Sequence, residues 1–256
     1  MTALGSTRSR ADGRSADALR PIRIETGAQR NPEGSVLISA GGTKVLIAAS
    51  VSEGVKDFLR QSGRGWVTAE YAMHPRANPE RQNREGKNGQ ISGRSHEIQR
   101  LIGRALRAAL RLPRLGERTI HIDCDVLDAD GGTRTAAITG GYVALVMALD
   151  QLRKRGLCSP GVLREPVAAV SVGLFQGAAL LDLDYQEDSA CQVDLNLVAT
   201  ESGRIIEVQG TAEGEPMARS EHDALVDRAL EGVRQLAGHQ QQALERAGID
   251  VARLLG

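Results

Sequence analysis

The chain reads as an α/β protein, in detail α+β, with mixed β-sheets covered by helices and two halves of similar design in succession. Three observations predict this. Short runs that alternate apolar and polar residues, bounded by glycine and proline, recur as strands do. Three longer stretches carry apolar residues at helical spacing. The strands come both as hairpins and in alternation with helices, which argues against an all-parallel sheet, and neither a G-x-G-x-x-G fingerprint nor a Walker A motif is present.

In the first half, residues 21 to 25 read as a strand, and residues 35 to 40 and 43 to 51 as a hairpin around Gly41-Gly42. Residues 66 to 71 suggest a further strand. A long helix starts near Ser95, with Ile98, Leu101, Ile102, Ala105, Leu106, Ala109 and Leu110 on one face, and ends before Pro113. Arg100, Arg104, Arg107 and Arg111 form a second stripe, which reads most simply as a solvated face. Residues 119 to 126 alternate as a half-buried strand, and Ile138, Tyr142, Leu145, Val146 and Leu149 then recur at helical spacing. Strands follow at 167 to 173, 179 to 184, 192 to 199 and 204 to 208. A final helix starts at Ser220, whose Ser-Glu-His-Asp resembles a capping box, and runs to about Arg246. Residues 1 to 12 read as a flexible N-terminal arm, 13 to 246 as a single domain and 247 to 256 as a C-terminal tail.

At 256 residues and 41% hydrophobic content, the chain can bury one sizeable core or two small ones. Neither a membrane span nor a secretory signal is read, and Cys124, Cys158 and Cys191 lack metal-ligand spacing. A reducing, cytoplasmic setting is expected. Net charge is zero, yet residues 60 to 118 hold 13 Lys or Arg against 5 Asp or Glu. Most of those cations are arginine, which suits planar contact with phosphate. Within that region residues 75 to 93, with Arg76, Arg81, Arg84 and Lys87, show no apolar period and read as a flexible basic loop, either solvated or facing RNA or another polyanion.

Two constellations carry chemistry. Asp-Ala-Asp-Gly-Gly-Thr-Arg-Thr-Ala at 128 to 136 joins a strand to a helix. Gly131 and Gly132 can take backbone angles closed to other residues, the free amides of a helix start favour an anion, and Thr133 and Arg134 add a hydroxyl and a guanidinium fork. The same residues also fit a plain turn, with Thr133 as helix cap and Arg134 in solvent. The second constellation is acidic: Asp182, Asp184, Glu187, Asp188 and Asp194. On one straight strand Asp188 and Asp194 would stand roughly 20 Å apart. A turn at Ser189-Ala190 would let a hairpin bring them together around a hard divalent cation such as Mg²⁺, or leave them as a solvated hairpin tip. A basic footprint, an anion site and an acidic pair together point to phosphoryl transfer on a nucleic acid, which needs no covalent nucleophile. His74, His96, His121, His222 and His239 are scattered and read as structural or surface residues.

Five ordered motifs make the chain resemble the ribonuclease PH family of bacterial phosphorolytic exoribonucleases: Arg-Ser-Ala-Asp-Ala-Leu-Arg-Pro from residue 14, Gly-Trp-Val-Thr-Ala-Glu-Tyr from 65, Glu-Ile-Gln-Arg-Leu-Ile-Gly-Arg from 97, Asp-Gly-Gly-Thr-Arg-Thr from 130, and Ile-Ile-Glu-Val-Gln-Gly-Thr-Ala-Glu-Gly-Glu from 205. The resemblance runs from about residue 13 to about residue 238. It implies the ribonuclease PH domain-like fold, and a 3′-to-5′ exoribonuclease that trims transfer-RNA precursors with inorganic phosphate, releases nucleoside diphosphates and can add nucleotides in reverse. It also implies that Arg94, Gly132, Thr133 and Arg134 bind phosphate, that Asp188 and Asp194 serve Mg²⁺, and that Arg94, Arg134, Asp188 and Asp194 form the catalytic set. Arg76, Arg81 and Arg84 would contact RNA, and the enzyme would assemble as a homohexamer, a trimer of dimers. Ser95-His96 and Asp128 depart from the family's usual residues without removing any of that set. Polynucleotide phosphorylases are longer, with appended RNA-binding domains for which this chain has no room. The alternative is an inactive RNA-binding ring subunit of exosome type, which would lack part of the phosphate and metal set.

Overall fold

The computed structural model describes residues 10–86 and 91–255. Strands β1 (Ile22–Thr26), β2 (Gly34–Ala40), β3 (Thr43–Glu53), β4 (Trp66–Met73) and β5 (Arg118–Asp128) form a five-stranded sheet in the order β1-β2-β3-β5-β4. All neighbours are antiparallel except β4 and β5. A parallel pair needs a crossover, and helix α1 (Gly93–Ala108) with the short α2 (Leu112–Leu115) supplies it. The apolar face expected of α1 is buried throughout.

Helix α3 (Thr133–Lys154) follows β5 and passes between the two sheets. It is buried on nearly every side, not along the single stripe its spacing implied, because β2, β3 and β6 (Val167–Phe175) pack against it from both sides. Its length and apolarity would let it cross a membrane, but 89% of its most apolar window lies inside the protein, as in the core helix of a globular fold. The second sheet, wholly antiparallel, runs β7 (Ala178–Leu181), β6, β8 (Val193–Thr200), β9 (Ile205–Ala212), with the one-turn helix α4 (Tyr185–Asp188) between β7 and β8. Helix α5 (Arg219–Arg246) covers it. The fully buried Gln240 of α5 donates to the carbonyls of Thr139 on α3 and Val167 on β6, both at 2.9 Å, and so ties three elements together.

Several expectations need correction. The strand predicted through residue 184 stops at Leu181, since Asp182 takes a left-handed φ of 55° and turns the chain. Helix α5 starts at Arg219, with Ala218 as its cap; Glu221, not the serine box, accepts the Ala218 amide at 2.7 Å. The arginine stripe on α1 is mostly engaged. Arg104 pairs with Glu207, Arg107 lies 4.2 Å over the Trp66 ring and donates to the Val67 carbonyl, and Arg111, beyond the helix, donates to the carbonyls of Gly161 and Leu163. The C-terminal segment is no free tail, since Val251 and Leu254 are buried and the Leu163 amide bonds the Leu254 carbonyl. Arg10, placed in the expected arm, is instead buried in the body, while Ala11 and Asp12 are exposed; residues 1 to 9 of that arm lie outside the described residues.

Candidate active site

Where β5 hands over to α3, the chain turns through Asp130, Gly131 and Gly132. Gly131 and Gly132 hold φ of 72° and 63°. A side chain at Gly131 would also strike the Leu183–Asp184 backbone, at 2.8 Å, so the glycine lets this turn lie directly against the start of α4. Thr43 locks the turn through its hydroxyl, which accepts from the Asp130 amide and donates to the Gly131 carbonyl at 2.6 Å. Arg20 fixes it from below by donating to the Asp130 carbonyl.

Gly132, not Thr133, caps α3, and the Thr133 hydroxyl instead meets Tyr71 Oη at 2.8 Å. Burial raises the Tyr71 pKa against the pull of Thr133, Arg94 and Arg134, which keeps the phenol a neutral hydrogen-bond partner. Arg134 is not left in solvent. Its Nη1 donates to Gln209 Oε1 at 3.1 Å and its Nη2 lies 3.6 Å from Glu97 Oε2. Gln209 in turn donates to Glu97 at 2.9 Å and Glu207 at 3.2 Å, and Glu207 takes both prongs of Arg104. Gln209 on the edge strand β9 and Glu97 on α1 therefore orient the guanidinium, which gives Glu207 and Gln209 of the motif that begins at residue 205 a structural role.

The turn expected at Ser189-Ala190 is present, but the residues before it form the one-turn helix α4 in place of a hairpin strand. Asp184 caps α4 by accepting the Glu187 amide at 2.9 Å, and Glu187 returns the contact to the Asp184 amide at 3.1 Å. This capping box presents Asp188 at the end of the turn, with Asp194 following on β8. Glu187 is anchored further by Arg10, whose Nε donates to Oε1 at 2.6 Å and whose Nη2 pairs with Oε2. Arg20 forms a second buried pair with Asp182 at 2.8 Å. Burial opposes the Arg20 charge, but Asp182 outweighs it and raises the Arg20 pKa.

Asp188 is exposed overall and lines the cleft. Lost hydration there, then the Asp194 carboxylate, raise its pKa above the ordinary 3.8 against Arg134, Arg94 and Arg20. Two neighbouring carboxylates that repel each other, one of which has lost hydration, suit a divalent cation. Among the described residues no group of three or more His, Cys, Asp or Glu could hold a metal. Two carboxylates fit Mg²⁺, which keeps several waters and takes its other ligands from substrate phosphate.

Arg94, Gly132, Thr133, Arg134, Asp188 and Asp194 all line one cleft of about 870 Å³. A smaller hollow of about 530 Å³, between β1 and α5, lies apart from them. Arg76, Arg81 and Arg84 are exposed and do not line the cleft, although Asn78, Gln82 and Asn83 of the same loop do. That loop is more anchored than expected: Ala77 is buried, Gln82 bonds the Pro75 carbonyl, and Ala129 bonds the Ala77 carbonyl. Lys87 falls outside the described residues. Sequence reasoning missed Glu97, Gln209, Arg10, Arg20, Asp182 and Glu187 as supports. Only the Asp-x-x-Glu box at 184 to 187 carried a local signal.

Two family descriptions match this chain: the 3′ exoribonuclease family, domain 1, over residues 18–149, and its domain 2 over residues 165–232. A curated ribonuclease PH of Corynebacterium kroppenstedtii is 53% identical over 237 residues, covering 93% of each chain. Rice (Oryza sativa) Rrp46 superposes with a TM-score of 0.74 at 20% identity, over 92% of this chain and 100% of its own. An Archaeoglobus fulgidus exosome with RNA bound to the active site gives 0.72 at 22% identity, over 90% and 92%. The two superpositions speak for the fold alone.

Proposed function

Because the chain belongs to the 3′ exoribonuclease family, we propose that its cleft performs phosphate-dependent 3′-to-5′ shortening of RNA. The observation that carries this reading is the convergence of a cationic anion nest and a carboxylate pair in one cleft, from α1, the β5–α3 turn, α4 and β8.

Inorganic phosphate rests on the Gly132 and Thr133 turn, between Arg94 and Arg134. Those two cations oppose its repulsion from the RNA linkage, and the Gln209–Glu97 contacts hold the Arg134 fork in one orientation. A phosphate oxygen attacks the phosphorus of the last internucleotide linkage. The bond from that phosphorus to the 3′ oxygen breaks, the 3′ oxygen takes a proton, and the terminal residue leaves as a nucleoside 5′-diphosphate. Run backwards, the same step adds a nucleotide from a diphosphate. Asp188 and Asp194 would hold Mg²⁺, which when bound supplies positive charge beside the linkage.

Transfer-RNA precursors are the proposed substrates, with Arg76, Arg81 and Arg84 contacting the RNA body outside the cleft. A cytoplasmic homohexamer is the proposed assembly. Phe58, Ile205 and Val208, exposed on the single chain, are the kind of apolar side chain that a subunit contact covers.

The test is phosphate-dependent release of nucleoside diphosphate from an RNA 3′ tail. Arg134→Ala removes a charge-assisted contact and should raise the KM for phosphate about 10- to 100-fold with RNA binding retained. Arg134→Lys should recover only part of that loss, since it restores the charge without the fork. Normal phosphate dependence in the alanine variant would reduce the glycine turn to a structural turn.

A further inference from the structure

We propose that Tyr185 is the stacking platform for the 3′-terminal nucleobase of the RNA. This proposal rests on the phosphorolytic reading of the cleft. Of the chain's two phenylalanines, three tyrosines and single tryptophan, Tyr185 alone is both strongly exposed, at 64%, and set in the cleft wall. Tyr71, the other tyrosine of that wall, is buried and committed to Thr133. In a protein with only 2% aromatic residues, an uncovered ring beside the reaction centre calls for a partner.

The placement matches a nucleotide. Tyr185 opens α4 and Asp188 closes it, so their side chains are neighbours at i and i+3, about 5–6 Å apart at Cβ. A linkage phosphate held beside Asp188 and Asp194 therefore leaves its own nucleoside within reach of the ring. The backbone under Tyr185 is firmly held. Its amide faces Asp130 Oδ1 at 3.4 Å, the glycine turn packs against it, and Arg10 grips Glu187 two residues on. The ring is thus a free face on a fixed base, which keeps the ordering cost of stacking low. Every nucleobase has a π-face, so a single tyrosine accepts all four, as an enzyme that removes successive nucleotides requires.

The experiment uses an RNA oligonucleotide ending in 2-aminopurine, bound to the full-length protein in phosphate-free buffer so that no turnover occurs. Wild type and Tyr185→Phe should quench the terminal fluorescence on binding, and Tyr185→Ala should not. With phosphate present, Tyr185→Ala should raise the KM for a natural oligonucleotide about tenfold. It should match wild type on one whose terminal nucleotide is abasic, with the KM for phosphate unchanged on both. Retained quenching in Tyr185→Ala, or an equal defect on the abasic substrate, would overturn the assignment. A Phe variant as impaired as Ala would overturn it too, by placing the role in the hydroxyl. Absence of diphosphate release by wild type would reject phosphorolysis and leave the fluorescence readout standing, so the two ideas fail separately.

Discussion

Arg20 and Asp182 join the two halves of the cleft, and their removal has a calculable effect. Both side chains are almost wholly buried, at 3% and 6% exposure, and pair at 2.8 Å. The Arg20 amide adds a second bond to Asp182 at 2.8 Å, while the guanidinium reaches the Asp130 carbonyl of the glycine turn. Removing Arg20 leaves Asp182 buried without its counter-ion, which costs about 3–5 kcal/mol, and removing Asp182 leaves Arg20 only the weaker pull of Asp130 and Asp184. Arg20→Met should therefore lower the melting temperature by on the order of 10 °C in a chain of this size. Asp182→Asn tests the charge alone, because asparagine tolerates the left-handed φ of 55° at this position. The double variant removes both charges, so it should lose about 2–3 kcal/mol less than the sum of the single losses. Urea denaturation of the four proteins gives that coupling, and the KM for phosphate should rise in Arg20→Met as the turn loosens. Additive losses, within about 0.5 kcal/mol, would show that the pair does not act as a unit.

Asp188 should act against stability until a cation arrives. A raised carboxyl pKa means that the folded chain binds the proton more tightly than the unfolded one, so stability falls as pH rises from 3.8 through the folded value. Asp188→Asn should then melt higher than wild type at pH 7 in chelator, and Mg²⁺ at ten times its Kd should raise the wild type by about 3–5 °C and the variant hardly at all. An equal Mg²⁺ shift in both proteins by thermal scanning would remove Asp188 from the metal site. Replacing Arg76, Arg81 and Arg84 together by alanine should weaken transfer-RNA binding and flatten its salt dependence, with less effect on a short oligonucleotide. Equal losses on both RNAs would place these arginines at the reaction centre or in subunit contacts.

What the sequence disclosed follows the range of the interactions. The hairpin around Gly41-Gly42, the buried face from Ile98 to Leu110 and the glycine turn at 131–132 depend on neighbours a few residues apart, and periodicity reports those directly. Arg10 and Glu187 meet across 177 positions, and Arg134 and Gln209 across 75. No local pattern announces such partners. The short helix that presents Asp188 was legible in its Asp-x-x-Glu box, but a run of five acidic residues reads more readily as a hairpin tip than as a helix start.

The charge distribution changes meaning once these partners are known. The arginine excess between residues 60 and 118 reads as one footprint for a polyanion, yet Arg104 and Arg118 are paired with Glu207 and Glu53, and Arg107 and Arg111 donate to main-chain carbonyls. Those four stitch strands and helices together, and each would have to give up a protein partner to take a phosphate. Among the described residues Arg94 and the exposed Arg64, Arg76, Arg81, Arg84 and Arg100 form no ion pair, so on the proposed reading the charge open to RNA includes the loop and the exposed face of α1. The proposed RNA body then lies over the loop while its 3′ end enters beside Asp188. That placement is also why the salt slope should respond to the loop arginines and not to Arg107 or Arg111.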